Sequence, residues 1–220
     1  MGAIVALMMM LVLGALGGAV AFLAAGETRT AGNHHSAAEV LYGADVAIAL
    51  ALNALVAVPD WIPLLGGGVT SPLVDGAPGG LRRTVAGAID LGEATNEVRC
   101  GHRAPCTAEE IAATTEERPW GPNNPVWQLY AYGPLSDLIP LEGVGSHVYV
   151  VVWVGDDRSE CDGRSDIDGG PCASGASRGR DALALLAHAY GAYGMRRAVE
   201  VSVARTDMSG VRITSWREVR

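Results

Sequence analysis

Ala3 to Ala25 is an uninterrupted apolar run, and nothing else in the chain constrains the fold as strongly. At about 1.5 Å of rise per residue, such a run crosses a bilayer core of about 30 Å with some tilt to spare, so it predicts a transmembrane helix. After Gly26 the chain turns polar (Glu27, Thr28, Arg29, Thr30) without a helix breaker stronger than Gly32 and Asn33. The helix is therefore expected to continue. Beyond the polar patch, Val40, Leu41, Ala44, Ile48, Ala51, Leu52 and Leu55 recur at three- and four-residue spacing, while Glu39, Asp45 and Asn53 fall off that stripe. This half reads as amphipathic. Pro59 stops it, because a proline pushes its predecessor out of the α region and cannot extend the ladder. The expected element is one rod, near Val58 at its end and about 80 Å long at 1.5 Å per residue. A cleavable signal peptide has a shorter apolar core, about 7 to 15 residues, and here the helical pattern passes straight through Phe22 to Gly26.

Gly2 before the run Ala3–Ala25, the polar stretch GETRTAGNHHSAAE and the helix EVLYGADVAIALALNAL together resemble the N-terminal segment of type IV pilin-like proteins, specifically PilX-like minor pilins. The resemblance covers the first quarter of the chain. It implies a helix that anchors the precursor in the inner membrane, N-terminus inside, and then packs against neighbouring pilin-like subunits in a filament core. Its outer half would lie against an antiparallel sheet in the head. It also implies prepilin peptidase as a partner, with Gly2 and Ala3 flanking the processing junction. Two departures stand out: only Met1 precedes Gly2, where the family carries a basic leader, and Leu7 holds the fifth mature position, where many pilins have glutamate. The second favours a minor or accessory subunit.

About 60 of the 220 residues go to the rod, and the rest suffice for one compact head. The expected organisation is 1–58 for the helix and 59–220 for an extracytoplasmic, β-rich head. The chain has no lysine and a net charge of −8, which argues against the basic surface a nucleic acid requires. All four cysteines lie in the head: Cys100 and Cys106 flank GHRAP, and Cys161 and Cys172 flank DGRSDIDGGP. An even count, in short Gly/Pro-containing loops, reads as disulfides in an exported domain. Three pairings are possible, and nearest neighbours are favoured. Zinc would call for paired ligands such as C-x₂-C, which neither spacing provides.

Within the apolar run, Gly14 and Gly18 form a small-xxx-small pair of the kind that lets helix backbones approach closely, although glycine is common in membrane helices in any case. His34 and His35 are adjacent and so face different ways, which suits solvated positions and not a chelate. PDWIPLLGGGVTSPLVDGAPGG, from Pro59 to Gly80, reads as a loop, and its GGG lacks the lysine and the context of a phosphate cradle. Residues 82–91 are expected to hold a first strand or a short amphipathic piece. Thr107-Ala-Glu-Glu has the form of a capping box. PVWQLYAYGPL reads as a strand ending at Gly133-Pro134, with Trp127 and Tyr130 as core or sheet-face residues. HVYVVVWV, ALALLAHAY, AVEVSVA and VRITSW, with GAYG and DMSG between the last three, predict a meander. The fold class expected is α+β: a long N-terminal helix packed on an antiparallel sheet.

Candidate chemistry is sparse. DDRSECDGRSDIDGG offers oxygens at Asp166 and Asp168 for a calcium ion, but EF-hand spacing and its bidentate glutamate are absent, so a solvated acidic loop is the favoured reading. GASRG around Ser177 matches a nucleophile pattern in letters only, since the required strand-turn-helix context is missing. His102, His147 and His188 are scattered. The expectation is a non-enzymatic structural subunit without a cofactor, taking part in assembly of a type IV pilus or a related secretion pseudopilus. The alternative is a single-pass membrane-anchored extracytoplasmic enzyme or ligand-binding domain.

Overall fold

The structure, a computed structural model, describes residues 2–139, 145–158, 182–206 and 210–219. In chain order its elements are α1 (Gly2–Val56), α2 (Ile62–Leu65), β1 (Leu81–Thr84), β2 (Gly87–Asp90), α3 (Leu91–Cys100), α4 (Ala108–Ile111), β3 (Gln128–Pro134), α5 (Leu135–Leu138), β4 (Tyr149–Asp156), β5 (Ala182–Tyr190), β6 (Arg196–Arg205) and β7 (Val211–Val219). The chain forms two compact units, residues 1–38 and residues 39–220. The first is helix alone. The second is the head, and the last turns of α1, from Glu39 on, belong to it.

β4 to β7 form the expected antiparallel meander, and β3 joins it as a fifth strand beside β4, each strand paired with the next. Side chains on one face of this sheet meet α1. Val40, Ala44, Ala47, Ile48, Ala51 and Leu55 pack there with Val150, Val152 and Val154 of β4, Leu183, Leu185 and Ala187 of β5, and Val199, Val201 and Val203 of β6. The buried helix face is rotated slightly from the stripe read in the sequence. Gly43 and Ala47 are buried, while Leu41 and Leu52 are only partly so. Small residues at the centre let the helix sit close to the sheet: a Cβ on Gly43 would meet Val148 Cγ1 at 2.8 Å, and one on Gly191 would meet Val40 Cγ2 at 2.2 Å.

The opposite face is covered too. Tyr149, Val151 and Trp153 of β4, with Ala184 and Leu186 of β5, pack against Ile89, Leu91, Ala94 and Trp127. Trp153 donates from its indole nitrogen to Thr95 Oγ1 at 2.9 Å, and that hydroxyl donates to Leu91 O at 2.7 Å. Burial on both faces is the reason HVYVVVWV and ALALLAHAY are continuous apolar runs and not alternating ones. The covering element, α3, lies in the stretch where the sequence suggested a strand or short amphipathic piece. The strand signal there belongs to the small β1–β2 hairpin, and α3 follows directly, capped by Asp90, whose carboxylate accepts from the backbone N–H of Gly92 and Glu93.

The Pro/Gly-rich stretch after α1 is pinned along the free edge of β3. Ser71 N donates to Tyr130 O, Tyr132 N to Leu73 O and Asp75 N to Tyr132 O, so one edge of the sheet is closed by the chain's own loop. Asp75 accepts from Arg82 Nε and from Tyr149 Oη, both at 2.9 Å, and this holds the loop down. The end of α1 is satisfied in the same economical way. Trp61 Nε1 donates to Leu55 O, and Arg205, stacked over the Trp61 ring, donates to Val58 O at 2.7 Å.

Truncating a fully buried aliphatic side chain costs about 2 to 5 kcal/mol, and overpacking a tight contact costs about 1 to 3. Ile48→Ala and Gly43→Leu are therefore each expected to lower the thermal midpoint of the head, measured on the full chain in detergent. Asp45→Ala, which removes one exposed bond from Trp216 Nε1, should change it little. Unchanged melts for both core variants would mean that α1 is not part of the head's core.

Candidate functional sites on the helix and the head

In residues 2–35 every side chain is exposed. Ile4, Leu7, Met10, Leu13, Val20 and Phe22 are between 64% and 85% exposed, and α1 is long and apolar enough to cross a membrane. Gly2 and Ala3 stand in its first turn. Gly14 and Gly18 lie one turn apart, on one face, with no atom within 4 Å of where a Cβ would sit. That face is open to the backbone of another helix. His34 and His35 are exposed.

In the head, Cys100 and Cys106 are joined by a disulfide that closes the loop after α3. Cys161, Cys172, Asp166, Asp168 and Ser177 all lie outside the described residues. The expected capping box is present: Thr107 Oγ1 accepts from Glu110 N, and the Glu110 carboxylate accepts from Thr107 N. Bonding from Thr107, then from His102, holds the Glu110 carboxyl below its ordinary range. Cys100, His102 and Glu110 come together here, a grouping that has the residue types of a metal centre. It lacks the chemistry of one. The Cys100 sulfur is consumed in the disulfide, and Cys100 and Glu110 address opposite nitrogens of the His102 ring, Nδ1 at 3.7 Å and Nε2 at 3.2 Å.

The most built-up polar site is a cleft of about 370 Å³ on the α3 side of the sheet. At its centre, Glu200 of β6 is buried between two guanidinium groups: Arg158 Nη1 donates to Oε1 at 2.5 Å and Arg217 Nη2 to Oε2 at 2.7 Å. Trp120 stacks on Arg158, 3.9 Å from ring centroid to guanidinium carbon, and also flanks Arg217. The loop carrying Trp120 is held by Arg118, which donates to the carbonyls of Arg99, Glu110 and Ile111, and by Asn124, which donates to Ile111 O and Ala113 O. These bonds satisfy carbonyls at the ends of α3 and α4, and they fix the course of a segment whose one regular piece is a 3-10 turn at Gly121–Asn123.

His188, one of three histidines that appeared scattered in sequence, is buried in the wall of this cleft. Its ring packs edge-on against Trp153, and Nδ1 lies 3.2 Å from Tyr190 Oη. His147 is exposed, and His102 engages Glu110, so the three do not converge. Sequence reasoning missed the Arg–Glu–Arg cluster because its members are far apart along the chain. The one signal was Glu200 inside the apolar AVEVSVA, with Arg217 directly opposite once the β6–β7 register is known.

Burial pushes the His188 imidazole down from 6.5 to about 3, with Arg196 adding to the effect. Between those values the unfolded chain binds a proton that the folded chain does not. The stability linked to His188 is thus fully present above about pH 6.5 and is lost as pH falls towards 3, by up to about 1.4 kcal/mol per unit. Unfolding free energies from urea titrations at pH 7 and pH 5 should differ by about 2 kcal/mol more in the parent than in His188→Leu. Equal differences would show that His188 titrates normally. For the disulfide, replacing both Cys100 and Cys106 by Ser should cost about 2 kcal/mol, the loop-closure value for so short a ring. The same urea titration reads it.

No protein-family model, curated protein or solved structure matches this chain.

Proposed function

We propose that the chain is a minor pilin-like structural subunit, held in the inner membrane by the apolar half of α1 and taking part in assembly of a type IV pilus or a related secretion pseudopilus. The observation that carries this reading is the division of labour within one helix. Apolar side chains up to Leu23 are exposed, and those from Val40 to Leu55 are built into the core of an antiparallel sheet. An independent stalk would not contribute core residues. The N-terminal half supplies apolar surface that lipid covers in the precursor and neighbouring pilin-like helices cover in the filament, with Gly14 and Gly18 as the close-approach positions.

The Cys100–Cys106 disulfide supports a head outside the cytoplasm, where thiols oxidise. The absence of lysine and the negative charge suit an extracytoplasmic surface and argue against nucleic acid. The reading is non-catalytic. A single-pass anchored ligand-binding domain is the second reading, favoured by the Arg–Glu–Arg cleft.

On this proposal prepilin peptidase cuts between Gly2 and Ala3. Protein recovered from sheared surface filaments is expected to begin at Ala3, and Gly2→Leu should block both the cut and incorporation while leaving the precursor in the membrane fraction. Recovery of the chain only in membranes, uncut and never with filaments, would favour the anchored domain.

A further inference from the structure

We propose that the cleft on the α3 side of the head binds a small monoanionic ligand: a carboxylate joined to an apolar group, about the size of a capped amino acid or the last residues of a peptide. The volume of about 370 Å³ lies at the lower end of the range of about 300 to 1,000 Å³ for small-ligand sites. Its charged lining comprises Arg118, Arg158, Arg196 and Arg217 against Glu97, Glu117 and Glu200, which leaves one positive charge in excess. That excess is concentrated at the centre. Arg196 is matched by Glu97 at 2.7 Å, whereas among the described residues Glu200 is the one carboxylate paired with both Arg158 and Arg217.

The donors are positioned in advance. The Arg158 side chain is 18% exposed and clamped over Trp120, yet among the described residues only Nη1 is used, on Glu200, which leaves its other N–H groups for an oxyanion. His188 is 7% exposed and occupied at Nδ1 alone by Tyr190, so Nε2 has no partner among the described residues. Val98, Trp127, Leu186 and Val219 supply apolar wall beside these polar groups. The same geometry selects against phosphate. A dianion would neutralise the single excess charge and then be repelled by Glu200, which sits between the two guanidinium groups. A planar carboxylate matches both the charge and the forked donor of arginine.

The carboxylate could arrive on a free small molecule or at the C-terminus of a polypeptide, and the two are separable. Calorimetric titration of the full chain in detergent would use N-acetyl-leucine, N-acetyl-leucinamide, the peptide N-acetyl-Ala-Ala-Ala-Leu with a free carboxylate, and inorganic phosphate. Both acids are expected to bind, at least tenfold more tightly than the amide or phosphate. A peptide tighter than N-acetyl-leucine identifies a polypeptide end as the ligand, and the reverse identifies a small molecule. Arg158→Gln and Arg217→Gln should each weaken the acids at least tenfold. Arg217, with a side chain 47% exposed on the last strand, provides the variant that keeps the fold if Arg158→Gln does not. Equal affinity for acid and amide, no binding of either acid at millimolar concentration, or wild-type binding by a folded Arg217→Gln would overturn the proposal.

Discussion

The head depends on the contact between the last turns of α1 and the sheet. Val40, Ala44, Ile48, Ala51 and Leu55 fill one side of a single apolar layer whose other side is the valine and leucine rows of β4, β5 and β6. A helix ordinarily packs on a sheet through large side chains. Here Gly43 and Gly191 remove two Cβ atoms where none would fit, and the backbones draw together. Close packing of this kind yields dispersion contacts from both surfaces, and it tolerates no enlargement. Without the helix, the inward rows of three strands would face water, each buried aliphatic side chain losing about 1.5 to 3 kcal/mol. Several such losses exceed the whole stability of a typical domain, about 5 to 15 kcal/mol.

The second layer follows from the first. Once one face of β4 and β5 is closed by α1, their other face still carries Tyr149, Val151, Trp153 and Leu186, and α3 with Trp127 closes it. β6 differs: opposite its valines it presents Ala198, Glu200 and Ser202. That polar stripe is where the α3 layer gives way to the cleft. Burying Glu200 is costly in itself, and two arginines with a stacked tryptophan offset the cost. An ion pair of this kind does little for stability compared with an apolar replacement.

The parts of the fold legible in sequence were those with local periodicity. α1 shows as an apolar run followed by a stripe, the strands as β-branched runs between glycine turns, and the α4 start as a capping box at Thr107 and Glu110. The bounds of β5 were legible to the residue, because alanine and leucine on both faces end abruptly at Gly191. What was not legible depended on pairings distant in the chain. α3 hides in LGEATNEVRC because its buried residues, Leu91, Ala94, Thr95 and Cys100, include few large apolar side chains and alternate with charged ones. The loop from Ser71 to Asp75 looked like a linker because its binding to β3 runs through backbone atoms that composition does not report. The cleft was invisible for the same reason: Trp120, Arg158, Glu200 and Arg217 meet only in three dimensions.

The two halves of α1 also meet different requirements, and the residue choices reflect it. In the head half, a helix face must match a fixed sheet, so the small and large side chains there are set by the particular rows they meet, as Gly43 against Val148 illustrates. In the N-terminal half no such rows exist. Leucine, methionine, valine and alanine alternate with glycine without a polar face, as suits a surface that must be apolar all round. Runs of methionine such as Met8, Met9 and Met10 adapt to many neighbours and specify none. On the proposed reading, lipid surrounds this helix first and other helices surround it later, and both call for that tolerance. The rigid half, by contrast, needs only one partner, the sheet to which it is covalently joined.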